Sequence, residues 1–487
     1  MSSNDALPTG AFSISSGFTR RAIGLSAAGA VGGFLFGFDS SVINGAVDSI
    51  AATFETGAVL TGVVVAIALL GCAAGAALAG TLSDRWGRLR VMRLGAVMFF
   101  VSSVGSALTF SIPDLLLWRV LSGLGIGIAS VVAPAYIAEI APRQIRGGLA
   151  SLQQLAITLG IFGALLSDAL LAGAAGGAAQ TLWWGLEAWR WMFLVGVIPS
   201  AVYGILSYTV PESPRFLIAQ GRTEQARAVF EKLVPAVDLD QTLRELTETI
   251  ETDRRNAGVS LRGPALGLQP IVWIGIILSV FQQFVGINVI FYYSTTLWNA
   301  VGFGESDSLL ISVITSVTNV LVTLVAIFLV DRVGRKPILL TGSVLMTVSL
   351  ATMAIAFAFA VTVDGTLSLP GAWAPVALVA ANLFVVGFGA SWGPLVWVLL
   401  GEIFPSRIRG KALGVAAAAQ WLANFLVTVS FPAMSAWSLP WTYAAYALFA
   451  ALSFAFVLWR VPETKGMELE KTETLFVRKQ TARETGT

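Results

Sequence analysis

The five residues DRWGR, Asp84 to Arg88, return as DRVGR at Asp331 to Arg335. Two further charged stretches repeat in the same order: EIAPRQIRG from Glu139 returns as EIFPSRIRG from Glu402, and PESPR from Pro211 returns as PETKG from Pro462. The chain therefore reads as two similar halves. Between these charged marks lie apolar runs of about 20 residues, the length that crosses a bilayer as a helix. They fall near 22–47, 58–82, 92–110, 115–138, 149–171 and 189–209, then near 269–295, 308–330, 338–361, 373–400, 412–435 and 442–460. Six spans per half, with both halves starting on one side, predict parallel repeats about an axis along the membrane normal.

Composition agrees with that reading. Of 487 residues, 56% are hydrophobic and 12% charged, against about 25% charged in a soluble domain. The formal net charge of +2 argues against nucleic acid as a partner. One cysteine, Cys72, and no histidine exclude a disulfide framework and a cysteine metal site. With no imidazole to titrate, any proton handled here is handled by a carboxylate. No nucleophile–base set is visible, which argues against an enzyme.

The positive charges sort by loop. Arg20 and Arg21, the cluster Arg85 to Arg93, Arg143 and Arg146, the 210–268 segment, Arg332 to Lys336, Arg407 to Lys411 and the tail from Arg460 all fall on one side. The alternate loops carry no Lys or Arg. The positive-inside rule then places both termini in the cytoplasm. The resulting expectation is an all-α membrane protein of twelve transmembrane helices. A cytoplasmic N-terminal tail (1–21) leads into an N-terminal six-helix bundle (22–209). A cytoplasmic helical linker (210–268), a C-terminal six-helix bundle (269–460) and a cytoplasmic C-terminal tail (461–487) follow.

An ionisable residue at bilayer depth costs about 2.5–3.5 kcal/mol even on the gentler insertion scale. In the first half Asp39 and Arg119 lie at comparable depth, with Asp168 near the outer end of span 5. Two readings of Asp39 stand: a structural ion pair with Arg119, or a proton carrier whose protonation releases that pair. The second-half spans carry no charge but several uncharged hydrogen-bonding groups: Gln282, Gln283, Asn288, Tyr292 and Tyr293 in span 7, Asn319 in span 8, Trp392 and Trp397 in span 10, and Gln420, Trp421 and Asn424 in span 11. Gln282 and Gln283 are expected close to the face of Asn288 and Tyr292 if span 7 is one helix. Amides beside flat rings suit a polyol; the alternative is interhelical glue. The stretch SWGPL predicts a broken helix in span 10. GLGIGIAS at Gly123 predicts close helix packing rather than a nucleotide loop.

The motifs FGFDSSVING, DRWGR, PAYIAEIAPRQIRG, PESPR, QQFVGIN, DRVGRKP, SWGPLVW, GEIFPSRIRGKA and VPETKG resemble those of the sugar porter family of the major facilitator superfamily. The resemblance is strongest to its bacterial xylose- and hexose-proton symporters. It implies proton-coupled symport of a neutral monosaccharide, hexose or pentose, by alternating access in a cell membrane. A monomer with no cofactor and no metal is implied, its partners being sugar, proton and lipid bilayer. A sugar uniporter and a non-transporting sugar receptor are the alternatives. The resemblance assigns Asp39 and Arg119 to proton coupling. It assigns Phe36, Gln154, Gln282, Gln283, Asn288, Tyr292, Asn319, Gly393, Trp397, Gln420 and Trp421 to the sugar. It assigns Asp84, Arg85, Arg88, Glu139, Arg146, Glu212, Arg215, Arg335, Glu402 and Arg409 to a cytoplasmic gate. Leu89 replaces a basic residue usual in the first-half latch, and Phe38 replaces a frequent Tyr.

Overall fold

The computed structural model describes residues 16–141, 146–233, 239–256, 260–363, 366–405 and 408–465. Twelve of its helical segments are long and apolar enough to cross a membrane, matching the twelve runs read from sequence. Five unbroken helices open the first half: α1 (Ser16–Thr53), α2 (Ala58–Trp86), α3 (Arg88–Ala107), α4 (Ile112–Ile140) and α5 (Arg146–Ala175). The sixth span is stepped at Gly196 into α6 (Ala188–Val195) and α7 (Val197–Thr209). Three linker helices follow, α8 (Pro214–Ala219), α9 (Thr223–Phe230) and α10 (Leu239–Asn256). Leu217, Ala226, Phe230, Leu239 and Leu243 give these three a small core of their own.

The seventh span departs from expectation. It is α11 (Pro270–Phe284), α12 (Ile287–Tyr292) and α13 (Ser294–Ala300) rather than one helix. Gly286 ends α11 with φ +82°, a backbone region that an L side chain enters only at a cost. Then come α14 (Glu305–Val333) and α15 (Arg335–Ala358). The loop after α15 holds a short antiparallel pair, β1 (Val361–Val363) with β2 (Thr366–Ser368); the sequence reading had only a loop there. The tenth span is broken at Ser391 into α16 (Trp373–Ala390) and α17 (Trp392–Ile403), as SWGPL implied. The chain closes with α18 (Arg409–Trp437) and α19 (Leu439–Arg460).

Helix ends follow local chemistry. Ser111 accepts a hydrogen bond from the Asp114 N–H to cap α4, and Ser438 does the same for α19 from Trp441, as N-cap serines do. Several helices start or end outside the apolar runs, α3 at Arg88 for example. Hydropathy marks only the embedded part, and end turns tolerate charge.

Glycines set the closest seam. Gly71 and Gly75 of α2 lie on Gly123 and Gly127 of α4, where any Cβ would run into the facing backbone. GLGIGIAS is thus a helix-packing surface. Between the halves, α1 packs on α12 and α13, α2 on α18, and α5 on α14.

Candidate functional site

In the interior of the first half, α1 and α4 bring Asp39 and Arg119 together. Arg119 Nη1 donates to both Asp39 oxygens at 3.3 Å. Ser122 Oγ reaches Asp39 Oδ2 at 3.2 Å while lying 3.0 Å from the Arg119 carbonyl. Both charged side chains are almost fully buried. The pairing is under-bonded: one nitrogen serves both oxygens at more than the 2.7–2.9 Å of a strong charge-assisted bond, and Arg119 Nε has no partner. Phe193 puts its ring 6.0 Å from the guanidinium.

The polar groups of the second half gather at two helix breaks. Gln282 Nε2 donates to the carbonyls of Trp392 (2.9 Å) and Gly393 (3.2 Å) in the first turn of α17, just past the break in span 10. Across the other break, Asn288 Nδ2 donates to Gln283 Oε1 at 2.5 Å. Gln283 and Asn288 therefore meet through the turn at Gly286, not along one continuous helix face. Tyr292 lies beside Asn424 and Ser40, and Asn424 Oδ1 accepts from Thr428. Asn319 is buried against Gly389. Trp392 is locked in place by Ser343 (2.9 Å) and the Leu339 carbonyl (3.2 Å), whereas Trp397 is 41% exposed.

Phe36 of α1 and Trp421 of α18 stand edge to face with centroids 5.5 Å apart, an aromatic contact between the halves. Gln154 is half-buried on α5. Its neighbour Gln153, not singled out from sequence, lies against Gly33. Three amide oxygens, on Gln153, Gln282 and Gln420, are buried without a protein partner. Such acceptors are costly in an apolar interior and are matched by hydroxyl donors. Phe38, by contrast, stacks on Phe34 and is buried within the first half.

The charged motifs build the same knot twice at one end of the bundle. In the first half Arg88 forks onto Glu139, Nε to Oε2 at 2.9 Å and Nη2 to Oε1 at 2.8 Å. The Glu212 carboxylate accepts the backbone N–H groups of Arg88 (2.9 Å) and Leu89 (3.3 Å) at the start of α3. In the second half Arg335 forks onto Glu402 at 3.3 and 2.9 Å, and Glu463 accepts the N–H groups of Arg335 and Lys336, each at 3.0 Å. Gly87 (φ +91°) and Gly334 (φ +111°) make the two turns, and each carboxylate sits at a helix N-terminus, where the dipole favours it.

Partial burial works against the Glu463 charge, but four backbone N–H donors outweigh it and hold its carboxyl below the usual glutamate range. Arg215 approaches Glu139 at 4.0 Å. Asp84 is exposed and meets Arg88 at 3.3 Å; Arg85 is exposed. Arg409 Nε donates to the Phe404 carbonyl. The Arg146 side chain lies outside the described residues. Leu89 is buried, while Lys336 at the matching place donates to the Leu458 carbonyl.

At the opposite end the halves are clasped. Asn44 of α1 donates to Thr295 Oγ1 at 2.9 Å and accepts the Thr295 N–H at 3.0 Å. Asp48 accepts from Thr296 (2.7 Å) and Asn299 (2.9 Å), and Glu305 accepts the Ala178 N–H at 2.7 Å. Sequence reasoning missed this clasp. Its signal was present in VINGAVDS, where Asn44 and Asp48 share one face of α1 at i, i+4 spacing.

A family model described as sugar (and other) transporter matches residues 25–476. A glucose transport protein from Synechocystis sp. is 52% identical over 449 residues, covering 92% of this chain and 96% of the relative. A D-xylose-proton symporter from Escherichia coli K12 is 39% identical over 485 residues, covering 92% and 94%. Among solved structures, the xylose transporter of Escherichia coli in an inward-open conformation aligns with TM-score 0.79 at 35% identity, covering 93% of this chain and 99% of that one.

Proposed function

The chain belongs to the sugar (and other) transporter family, and from that premise we propose that it carries a neutral monosaccharide into the cell together with a proton. The observation that carries the reading is the division of labour between the halves. The buried Asp39–Arg119 pair sits within the spans of the first half, and uncharged amides with unpartnered acceptors sit mostly in the second. A charged substrate would need a counter-charge among these amides; a sugar needs hydroxyl partners and an aromatic face. Gln282, Gln283, Asn288, Tyr292, Asn319, Gln420 and Gln154 supply the first, Trp421, Phe36 and Trp397 the second, with Gly393 beside Gln282 just past the break at Ser391.

With the charged knots on the cytoplasmic side, as the positive-inside rule implies, the Asn44–Asp48 clasp closes the outer end. The described Arg88–Glu139 and Arg335–Glu402 pairs each stay within one half, so they brace the bundles without bridging them. This arrangement supports alternating access, one bundle rocking against the other around the midplane. Protonation of Asp39 removes the charge that holds Arg119 and leaves a buried guanidinium unpaired, a cost that a change of helix packing relieves. Asp84, Arg85, Arg146, Arg215 and Arg409 complete the cytoplasmic gate. A proton moving down 100 mV supplies about 2.3 kcal/mol, which supports roughly fifty-fold accumulation of a neutral solute.

The test is sugar-induced alkalinisation of the medium by energised cells or right-side-out vesicles. Proton entry with sugar is expected for the wild type and lost in Asp39→Asn, which keeps sugar exchange. Sugar uptake with no proton movement would instead assign a uniporter.

A further inference from the structure

Asp168 of α5 takes no part in the site described above, yet it is 0% exposed. Its Oδ2 accepts the Gly45 backbone N–H at 3.2 Å, and its Oδ1 has no partner. The carboxyl is seated on bare backbone. A Cβ at Gly45 would stand 2.8 Å from Asp168 Cβ and 2.9 Å from its Oδ2.

Among the described residues, no cation answers this acid from the helices around it. On α1, Arg21 is exposed, Asp39 holds Arg119, and Asp48 meets Thr296 and Asn299. On α4, Asp114 accepts the Phe110 N–H and Glu139 holds Arg88. On α6, Arg190 pairs with Glu187. On α14, Glu305 accepts the Ala178 N–H, while Asp307 and Arg332 are exposed. An ionised carboxylate shut away from water and from any cation costs several kcal/mol, whereas the neutral acid is an ordinary polar group.

We propose that Asp168 is a second proton-binding group, separate from the Asp39–Arg119 pair, loaded when α1 and α5 close around it and unloaded to water when the clasped end opens. Its place in the fold ties it to that motion. Gly45 directly follows Asn44, whose side chain holds Thr295 and, at 3.4 Å, Ser312. Helix α5 itself packs on α14, which carries Ser312. Opening the clasp thus moves the turn of α1 on which the carboxyl rests. Gly45 lies six residues beyond Asp39, about 9 Å along the helix, so the two acids occupy distinct places on one element. The inference rests on reading the chain as a two-bundle transporter and adds a second acid to it.

One proton held in the closed form and absent in the open form shifts their ratio by up to tenfold per pH unit, with acid favouring closure. Asp48 acts in the other direction, because its protonation weakens the clasp.

The experiment uses the full chain in lipid nanodiscs without sugar, carrying Asp39→Asn and Cys72→Ala, with spin labels at Thr53→Cys and Ser306→Cys across the clasped end. The open fraction is expected to rise with pH by up to tenfold per unit, and adding Asp168→Asn is expected to flatten the curve. An unchanged slope in Asp168→Asn, or no slope before it, overturns the proposal. If Asp168→Asn fails to fold, infrared spectra of the isotope-labelled aspartate protein in the Asp39→Asn background decide. A protonated-carboxyl band at neutral pH that fades as the labels report opening supports the proposal; no band, or one indifferent to opening, overturns it. Since no sugar is present, failure here is distinct from failure of the sugar reading, which vesicle uptake tests.

Discussion

Replacing Arg88 by Met should destabilise the protein far more than the same change at Arg335, although the two residues hold matching places in a repeated motif. Arg88 and Glu139 form a two-nitrogen fork with side chains 8% and 11% exposed, and once Arg88 is gone the Arg215 guanidinium stands 4.0 Å from the stranded carboxylate. Breaking a buried pair from one side costs about 3–5 kcal/mol, while exposed pairs contribute about 0–1 kcal/mol. Arg335 and Glu402 are 13% and 26% exposed, and Glu402 keeps the Thr464 hydroxyl as a donor. That places the second-half loss between the two limits, near 1–2 kcal/mol. The difference, about 2 kcal/mol, is readable as a shift in denaturant midpoint at constant slope in mixed micelles. Replacing both partners, Arg88→Met with Glu139→Met, should recover most of the loss, since no stranded charge remains. Equal losses in the two halves, or a double variant no better than Arg88→Met, would refute the burial argument.

Three further outcomes follow from individual contacts. Gly286→Ala forces a left-handed backbone worth about 1–2 kcal/mol and sets a methyl 2.8 Å from the Tyr446 ring; a lower melting temperature and weaker sugar binding should appear together. Gln282→Leu removes the side-chain donor from the Trp392 and Gly393 carbonyls, which stay in the ladder of α17, so the loss is that of an ordinary hydrogen bond, about 1 kcal/mol; it should lower both the melting temperature and sugar affinity in a binding titration. Because the folded Glu463 carboxyl lies below its ordinary value of 4.5, its contribution is complete above that value and is lost as pH falls through the folded value. The acid limb of the stability profile should therefore flatten in Glu463→Gln, and an unchanged limb would remove Glu463 from the account.

How far the sequence could be read depended on whether a feature was local. The twelve spans were legible because hydrocarbon imposes one requirement, length without charge, that every span must meet alone. The broken tenth span was legible in Ser391 to Leu395, since Gly followed by Pro interrupts any helix. The break at Gly286 was not, because QQFVGIN keeps its apolar pattern straight through the turn; a lone glycine inside a span reads equally as close packing, which is what Gly123 does. The expectation that Gln283 lies near the face of Asn288 found the right pair by the wrong route: a continuous helix would set them about 140° apart, and the turn at Gly286 brings them together. That Gln282 spends its amide on carbonyls of another span was invisible, since spans 7 and 10 meet only in the folded bundle. Asp168 was visible as a charge in a span, but its isolation from the described cations is a tertiary fact.

The most direct test of the central claim is uptake of labelled glucose and xylose into sealed vesicles containing the purified protein, with and without an imposed proton gradient. The account predicts accumulation above equilibrium only when the gradient is present, abolished in Asp39→Asn while exchange persists. Vesicles that take up neither sugar under either condition would contradict it.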